Sequence, residues 1–183
     1  MILNNLFAFD LWFENLLVSI RNPFFVQLFR DITFFGNATT VIGLVVFFGI
    51  FLLWTKTRRV YLAGLFVSLA GATGTTYVLK EVVGRLRPSG SIPTSIETDF
   101  SFPSGHATAS MAFYGFTAYI LCRLYPLCAK AILSVATIVV LLIGFSRLYL
   151  GLHFPTDVIA GYVVGGVWVW IGIKMAQKLQ TPR

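Results

Sequence analysis

The sequence predicts an all-α protein, a polytopic bundle of five to six transmembrane helices preceded by an N-terminal interfacial helix. Apolar runs recur along the chain, and a run of about 20 residues is what a helix needs to cross a bilayer core about 30 Å thick. Hydrophobic residues make up 57% of the 183 residues and charged residues only 11%. Soluble domains average about 45–50% apolar and about 25% charged residues. The lipid bilayer is therefore the expected surroundings of this protein.

The N-terminal segment, residues 1–37, is predicted to be amphipathic and to lie in the membrane interface. Its helix carries an apolar stripe that Glu14 interrupts. The stripe residues are Leu3, Phe7, Leu11 and Val18. A sixth, weakly apolar crossing is the alternative. No cleavable signal peptide is expected, because the segment lacks a basic start and a small-residue cleavage site.

The transmembrane core is predicted over residues 40–175, and the whole chain, 1–183, is expected to be one domain. The predicted crossings are Thr40–Thr55, Val60–Val83, Ser104–Leu124, Ala131–Tyr149 and Pro155–Ile173. The first two form a hairpin, and the crossings then alternate sides. One face collects cations without any acidic residue: Lys56, Arg58, Arg59, Arg123, Lys130, Lys174, Lys178 and Arg183. By the positive-inside rule that face is cytoplasmic.

Charge and cysteine content narrow the function classes. The net charge of +7 is not arranged as a basic stripe with interleaved aromatics, so no nucleic-acid partner is expected. Cys122 and Cys128 imply no disulfide framework. The remaining charged residues gather on the non-cytoplasmic face, which in a bacterium is the periplasmic or outer side of the cytoplasmic (inner) membrane.

The first charged cluster on this face is KEVVGRLRP, residues 80–88. Lys80 lies inside the end of a predicted span, and Arg85 and Arg87 follow just beyond it. An ionisable group at such a depth is costly and usually faces a polar cavity. The alternative is a lysine that snorkels to the lipid headgroups.

The second cluster is FPSGH, residues 102–106, at the start of the next predicted span. Pro103 fits just before a helix, and Ser104 is a favourable N-cap. The amides of Gly105 and His106 are then unpaired and point outward, and such helix N-termini bind anions such as phosphate. An ordinary capped helix with an interfacial histidine is the alternative.

The third cluster is SRLYLGLHFPTD, residues 146–157. Arg147 ends one predicted span and Pro155 begins the next. Asp157 falls in the first turn, where the helix dipole alone favours a carboxylate. The functional interpretation places Asp157 close to His153, holding the imidazole in one tautomer as the aspartate of a nucleophile-activating triad does.

Together the three clusters indicate a phosphate site. Lys80, Arg87 and Arg147 supply cations for phosphate oxygens. His106 and His153 supply nucleophilic and acid–base chemistry. No metal or other cofactor is expected, because the acidic residues lack a tight ligand spacing and each histidine is alone in its cluster.

These clusters resemble the three signature motifs of the type 2 phosphatidic acid phosphatase superfamily of integral membrane lipid phosphatases. The motifs are Lys-x6-Arg-Pro, Pro-Ser-Gly-His and Ser-Arg-x5-His-x3-Asp. Their fixed positions are met by Lys80, Arg87 and Pro88, by Pro103, Ser104, Gly105 and His106, and by Ser146, Arg147, His153 and Asp157.

The resemblance implies a role for each matching residue. His153 would attack phosphorus and form a phosphohistidine, with Asp157 orienting its ring. His106 would protonate the departing lipid oxygen and later activate water. The phosphoryl oxygens would be held by Lys80, Arg87, Ser104, the Gly105 amide and Arg147. An imidazolium at a helix N-terminus is unfavourable, so His106 needs help as an acid, which a bound phosphate is expected to supply.

The expected partner is a membrane lipid phosphate displayed on the outer leaflet. Undecaprenyl diphosphate, phosphatidylglycerophosphate and phosphatidic acid are the candidates, and a bacterial phosphatidylglycerophosphatase B or undecaprenyl-diphosphatase type is the preferred interpretation. The stretch Ser91–Asp99 is a candidate for narrowing the choice. The alternatives are a non-catalytic lipid-phosphate binder or transporter that keeps the fold, and a soluble-type haloperoxidase, which the membrane spans disfavour.

Overall fold

The computed structural model describes residues 2–54, 60–92 and 99–180, and their regular structure is helical throughout. In chain order the helices are α1 Ile2–Ser19, α2 Pro23–Phe34, α3 Ala38–Trp54, α4 Val60–Val83, α5 Gly105–Leu124, a 3-10 turn Pro126–Cys128, α6 Ala129–Tyr149 and α7 Pro155–Gln180. The predicted all-α class is confirmed. Four cations of the predicted cytoplasmic face lie outside the described residues: Lys56, Arg58, Arg59 and Arg183.

Residues with special backbone preferences mark several helix ends. Asn22 caps α2, its side-chain oxygen accepting from Phe24 N at 2.8 Å, and Pro23 occupies the first turn. Gly84 follows α4 with a φ of +60°, a left-handed conformation that glycine adopts without strain. Pro155 begins α7.

Three helices form the centre of the bundle. α4, α5 and α7 pack against one another, α6 packs on α5, and α2 packs on α6. Gly161 and Gly165 allow α7 to approach α5, because a Cβ there would lie 2.8 Å from Ser104 O and 2.7 Å from Thr108 O, respectively. These two glycines therefore make the close packing of α7 on α5 possible.

The observed helices coincide closely with the five predicted crossings. Fewer than five of these helices are individually long and apolar enough to cross a membrane. α4, α6 with its preceding 3-10 turn, and α7 are long and apolar enough. α3, with 17 residues, is only about 26 Å long. Together with α2, from which it bends by 45°, it qualifies as one broken span. The described residues thus contain three candidate spans, or four with the broken pair, and the count of five to six stays a prediction.

The N-terminal helix α1 packs against α6 and α7. Over residues 6–19, its buried residues are Asp10 and Leu17, whereas Phe7, Leu11 and Val18 of the predicted stripe are exposed. These three stripe residues therefore face away from the protein, where a bilayer can cover them. The interfacial placement of α1 stays a prediction.

Candidate active site

The three sequence clusters meet at one end of the bundle. The last turns of α4 and α6 carry Lys80 and Arg147 to this end, and α5 and α7 begin there. The starts of α5 and α7 are joined directly, since Ser104 N donates to Asp157 O at 3.0 Å. The opposite end carries the described members of the predicted cytoplasmic set of cations, Arg123, Lys130, Lys174 and Lys178.

His153 lies in the tight turn between α6 and α7, where Gly151 adopts a φ of +69°. Its Nδ1 faces Asp157 Oδ2 at 3.6 Å and the hydroxyl oxygen of Ser101 at 3.4 Å. Its Nε2 lies 3.2 Å from an Arg87 guanidinium nitrogen. One ring nitrogen therefore faces a carboxylate, and the other faces the cationic part of the site.

His153 is buried, being 4% exposed. Burial lowers its pKa to about 4; the contact with Asp157 opposes this shift, and the charges of Arg147 and Arg87 reinforce it. The imidazole is consequently neutral at physiological pH, with a nitrogen lone pair available.

The carboxylate of Asp157 is held on both oxygens. Oδ2 accepts hydrogen bonds from Ser101 Oγ at 2.5 Å and from Phe154 N at 2.9 Å. Oδ1 accepts from an Arg85 nitrogen at 2.7 Å. Ser101 thus bridges Asp157 and His153, a contact that the sequence motifs did not predict.

Lys80 and Arg87 share a carboxylate partner. Asp99 Oδ2 lies 3.0 Å from Lys80 Nζ, and Asp99 Oδ1 lies 2.5 Å from an Arg87 nitrogen. Burial opposes ionisation of Asp99, but the hydrogen bonds and charges of the two cations outweigh it and lower its pKa. Lys80 is only 7% exposed and also donates to Phe100 O. The snorkelling alternative for Lys80 is therefore wrong.

Helix α5 begins at Gly105, with Ser104 at the N-cap position. The Ser104 side chain makes no capping hydrogen bond, and its buried oxygen has no hydrogen-bond partner among the described residues. Ser104 therefore occupies the predicted N-cap position, but its hydroxyl does not cap the helix. The hydroxyl and the first amides of α5, which have no partner within the helix, are left to bind another group.

Arg147 is 1% exposed, and one of its guanidinium nitrogens donates to Thr33 Oγ1 at 3.0 Å. His106 lies on the first turn of α5, with Nε2 2.6 Å from Asn37 Oδ1. The structure therefore brings all eight predicted site residues to one end of the bundle.

Arg85 and Asp10 extend the site beyond the predicted residues. Arg85 joins Asp157 to Asp10 Oδ2, at 2.7 Å from each. Asp10 Oδ1 also accepts from Thr156 N at 3.1 Å. The charge of Arg85 was visible in the first cluster, but nothing in the sequence pairs it with an acid 75 positions earlier.

No group of three His, Cys, Asp or Glu side chains suited to hold a metal occurs within residues 2–54, 60–92 and 99–180. Glu97 and most of the loop Ser91–Asp99 lie outside the described residues.

An apolar cavity of about 450 Å³ opens beside His106, between α3, α4 and α5. Its lining includes Val41, Ile42, Val45, Leu69, Gly105 and His106. The cavity thus offers, next to the first turn of α5, an apolar space of the kind that an alkyl chain fills.

Comparison with known proteins agrees with the site. Residues 61–181 match the model of the PAP2 superfamily. Phosphatidylglycerophosphatase B of Bacillus subtilis is 34% identical over 154 residues, 81% of this chain and 73% of the relative. An undecaprenyl-diphosphatase of Sulfolobus acidocaldarius is 30% identical over 176 residues, 86% and 80% of the two chains.

Solved structures show the same fold. The crystal structure of a transmembrane PAP2-type phosphatidylglycerolphosphate phosphatase from Bacillus subtilis superposes with a TM-score of 0.89 at 29% identity, covering 98% of this chain and 90% of the other. Aquifex aeolicus LpxE, at 23% identity and a TM-score of 0.72, shares the fold over 90% of this chain and 94% of its own. The chain therefore belongs to the PAP2 superfamily and is a membrane lipid phosphatase.

Proposed function

We propose that this protein hydrolyses a phosphate monoester or diphosphate of a membrane lipid through a phosphohistidine at His153, without a metal ion. The observation that carries the proposal is the setting of His153. Its Nδ1 faces Asp157 and Ser101, and its Nε2 points toward Arg87. Because the neutral ring donates its Nδ1–H toward the carboxylate side, the Nε2 lone pair is left to attack phosphorus.

In the first step, Nε2 of His153 forms a bond to phosphorus and the bond from phosphorus to the leaving oxygen breaks. That oxygen is the lipid ester oxygen of a monoester or the bridging oxygen of a diphosphate. His106 gives its proton to that oxygen, and the leaving group departs as the lipid alcohol from a monoester or as the lipid monophosphate from a diphosphate. In the second step, His106 takes a proton from water, and the resulting hydroxide attacks phosphorus. The P–N bond breaks, inorganic phosphate leaves, and both histidines return to their starting states.

Charge on the phosphoryl oxygens is balanced by the protein itself. Lys80, Arg87 and Arg147 provide three cations, and the unpaired Ser104 hydroxyl and the Gly105 amide provide neutral donors. Such preorganised donors stabilise the charge that develops in the transition state. Asp99 occupies Lys80 and Arg87 in this structure, and substrate phosphate is expected to replace it.

The substrate is proposed to reach the site from the non-cytoplasmic leaflet. The described cations at the other end of the bundle favour the cytoplasm, which leaves the site end on the outside of a bacterial cytoplasmic membrane. The apolar cavity beside His106 suits the first carbons of a lipid tail, and its lining offers little to distinguish one tail from another. The relatives act, by name, on phosphatidylglycerophosphate and undecaprenyl diphosphate, and both belong in the test with phosphatidic acid.

The test is phosphate release by the purified protein in detergent with EDTA present. The panel contains undecaprenyl diphosphate, phosphatidylglycerophosphate, phosphatidic acid and a lipid A phosphate. We expect metal-independent release from at least one lipid and complete loss of release in His153→Ala. Arg87→Ala is expected to lower release, because it removes one of the three cations that bind the phosphoryl oxygens. Arg123→Ala, its matched control, removes a cation from the far end of the bundle and is expected to keep its activity.

Undiminished release by His153→Ala would refute the phosphohistidine mechanism. Vanadate binding without release from any lipid would instead favour the alternative, a lipid-phosphate binder or transporter that keeps the fold.

A further inference from the structure

The turn between α2 and α3 lies directly against His106. A Cβ on Gly36 would be 3.0 Å from His106 Cδ2 and 2.6 Å from Ile143 Cγ2, so a side chain there would displace Ile143 and press on His106. The Tyr114 hydroxyl donates to Phe35 O at 3.0 Å and anchors the turn to α5. The next residue, Asn37, places Oδ1 2.6 Å from His106 Nε2.

We propose that Asn37 is a positioning residue that selects Nδ1 of His106 as the nitrogen exchanging protons with substrate and water. The inference rests on the proposed function, in which His106 is the acid and base. An amide oxygen only accepts hydrogen bonds, so it holds the proton of the neutral ring on Nε2. The lone pair is then on Nδ1. When the ring is protonated, the Nε2–H stays on Asn37, and the second proton, on Nδ1, is the one transferred.

This contact also answers a difficulty in the chemistry of His106. Its surroundings disfavour an imidazolium, since the ring sits at a helix N-terminus. The groups that act on it electrostatically are Arg147 from α6, Lys80 and Arg87 from the α4 side, and His153 from the α6–α7 turn. The Asn37 oxygen adds an acceptor whose hydrogen bond strengthens when the ring becomes charged, because charge-assisted hydrogen bonds are the stronger kind.

The tautomer is measured directly in His153→Ala, which leaves His106 as the only histidine of the chain. Nitrogen NMR of isotope-labelled histidine, at a pH where the ring is neutral, is expected to show the proton on Nε2. Introducing Asn37→Ala into this background is expected to give a mixture of tautomers. A proton on Nδ1 in the presence of Asn37 would overturn the proposal. This measurement needs no turnover, so its failure is distinct from a failure of the proposed function.

The kinetic test compares two substrates with matched long tails, an alkyl phosphate and a tail-substituted nitrophenyl phosphate. The alkoxide is a poor leaving group and needs the acid, whereas the nitrophenolate does not. For Asn37→Ala we expect kcat/KM to fall about 10-fold or more on the alkyl phosphate, and by less than about 3-fold on the nitrophenyl phosphate. The quantity kcat/KM excludes the later hydrolysis of the phosphoenzyme.

Two variants distinguish positioning from a structural role. Asn37→Asp keeps an acceptor oxygen and is expected to restore activity on the alkyl phosphate, with the alkaline limb of the pH profile moved to higher pH. Asn22→Ala removes the cap of α2 without touching His106, so any loss should be equal for both substrates. Equal losses on both substrates for Asn37→Ala would contradict the proposal.

Discussion

At the scale of single residues, the site is built from ionisable groups that are buried but have partners. Arg147 is 1% exposed and Asp157 is fully buried, yet each contacts polar atoms of the protein. A buried charge without such partners costs several kcal/mol, so these groups must be held by a specific arrangement. His153 differs from these groups, because burial keeps its imidazole neutral and no buried charge needs a partner.

The protonation of His153 is the prediction at this scale. Since its pKa is lowered to about 4, the ring should stay neutral until the pH falls through about 4, instead of titrating near 6.5. Nitrogen NMR on His106→Gln, which retains only this histidine, measures the midpoint. Between pH 6.5 and about 4 the unfolded state binds more protons than the folded state, so the free energy of unfolding should decrease as the pH is lowered through that window. A midpoint near 6.5 would contradict the burial of this ring.

At the scale of helices, α1 contributes to the site through one side chain. Asp10 is fully buried and, through Arg85, connects α1 to the carboxylate of Asp157. The sequence pattern predicted an apolar stripe for α1 and gave no reason to assign Asp10 to the protein side. The helix therefore docks by a charged contact that hydrophobic periodicity does not detect.

The prediction for α1 concerns Asp10→Asn. The variant removes the charge that Arg85 shares between two carboxylates, so Arg85 should draw Asp157 away from His153. We expect a lower kcat and a loss of stability of about 1.5–3 kcal/mol, the usual range for a hydrogen bond to a charged group. Thermal unfolding in detergent and phosphate release measure both. Asp31→Asn, an exposed carboxylate hydrogen-bonded to Gln27, is the control. Equal kcat and equal stability of Asp10→Asn and Asp31→Asn would show that Asp10 does not support the site.

At the scale of the whole molecule, alternating helix direction brings the three motifs together. The helices, and the meeting of the eight motif residues at one end of the bundle, could be predicted, because apolar runs define spans and the motif residues lie at the span ends. The roles of these residues stay a prediction. The sequence did not predict the contacts of Asn37, Ser101 and Asp10, since their partners lie 69, 56 and 75 positions away. Such contacts depend on how the helices pack, which a single sequence does not reveal.

The assembled site is tested most directly by trapping the phosphoenzyme. His106→Ala should slow the attack of water on the intermediate, while a nitrophenyl phosphate lets the first step proceed without the acid. Rapid quenching into base, digestion and mass spectrometry should then find one added phosphoryl group on His153, stable to alkali and labile to acid. Phosphate release by the wild type, with no phosphoryl group on His153 in the trapped variant, would contradict the phosphohistidine mechanism.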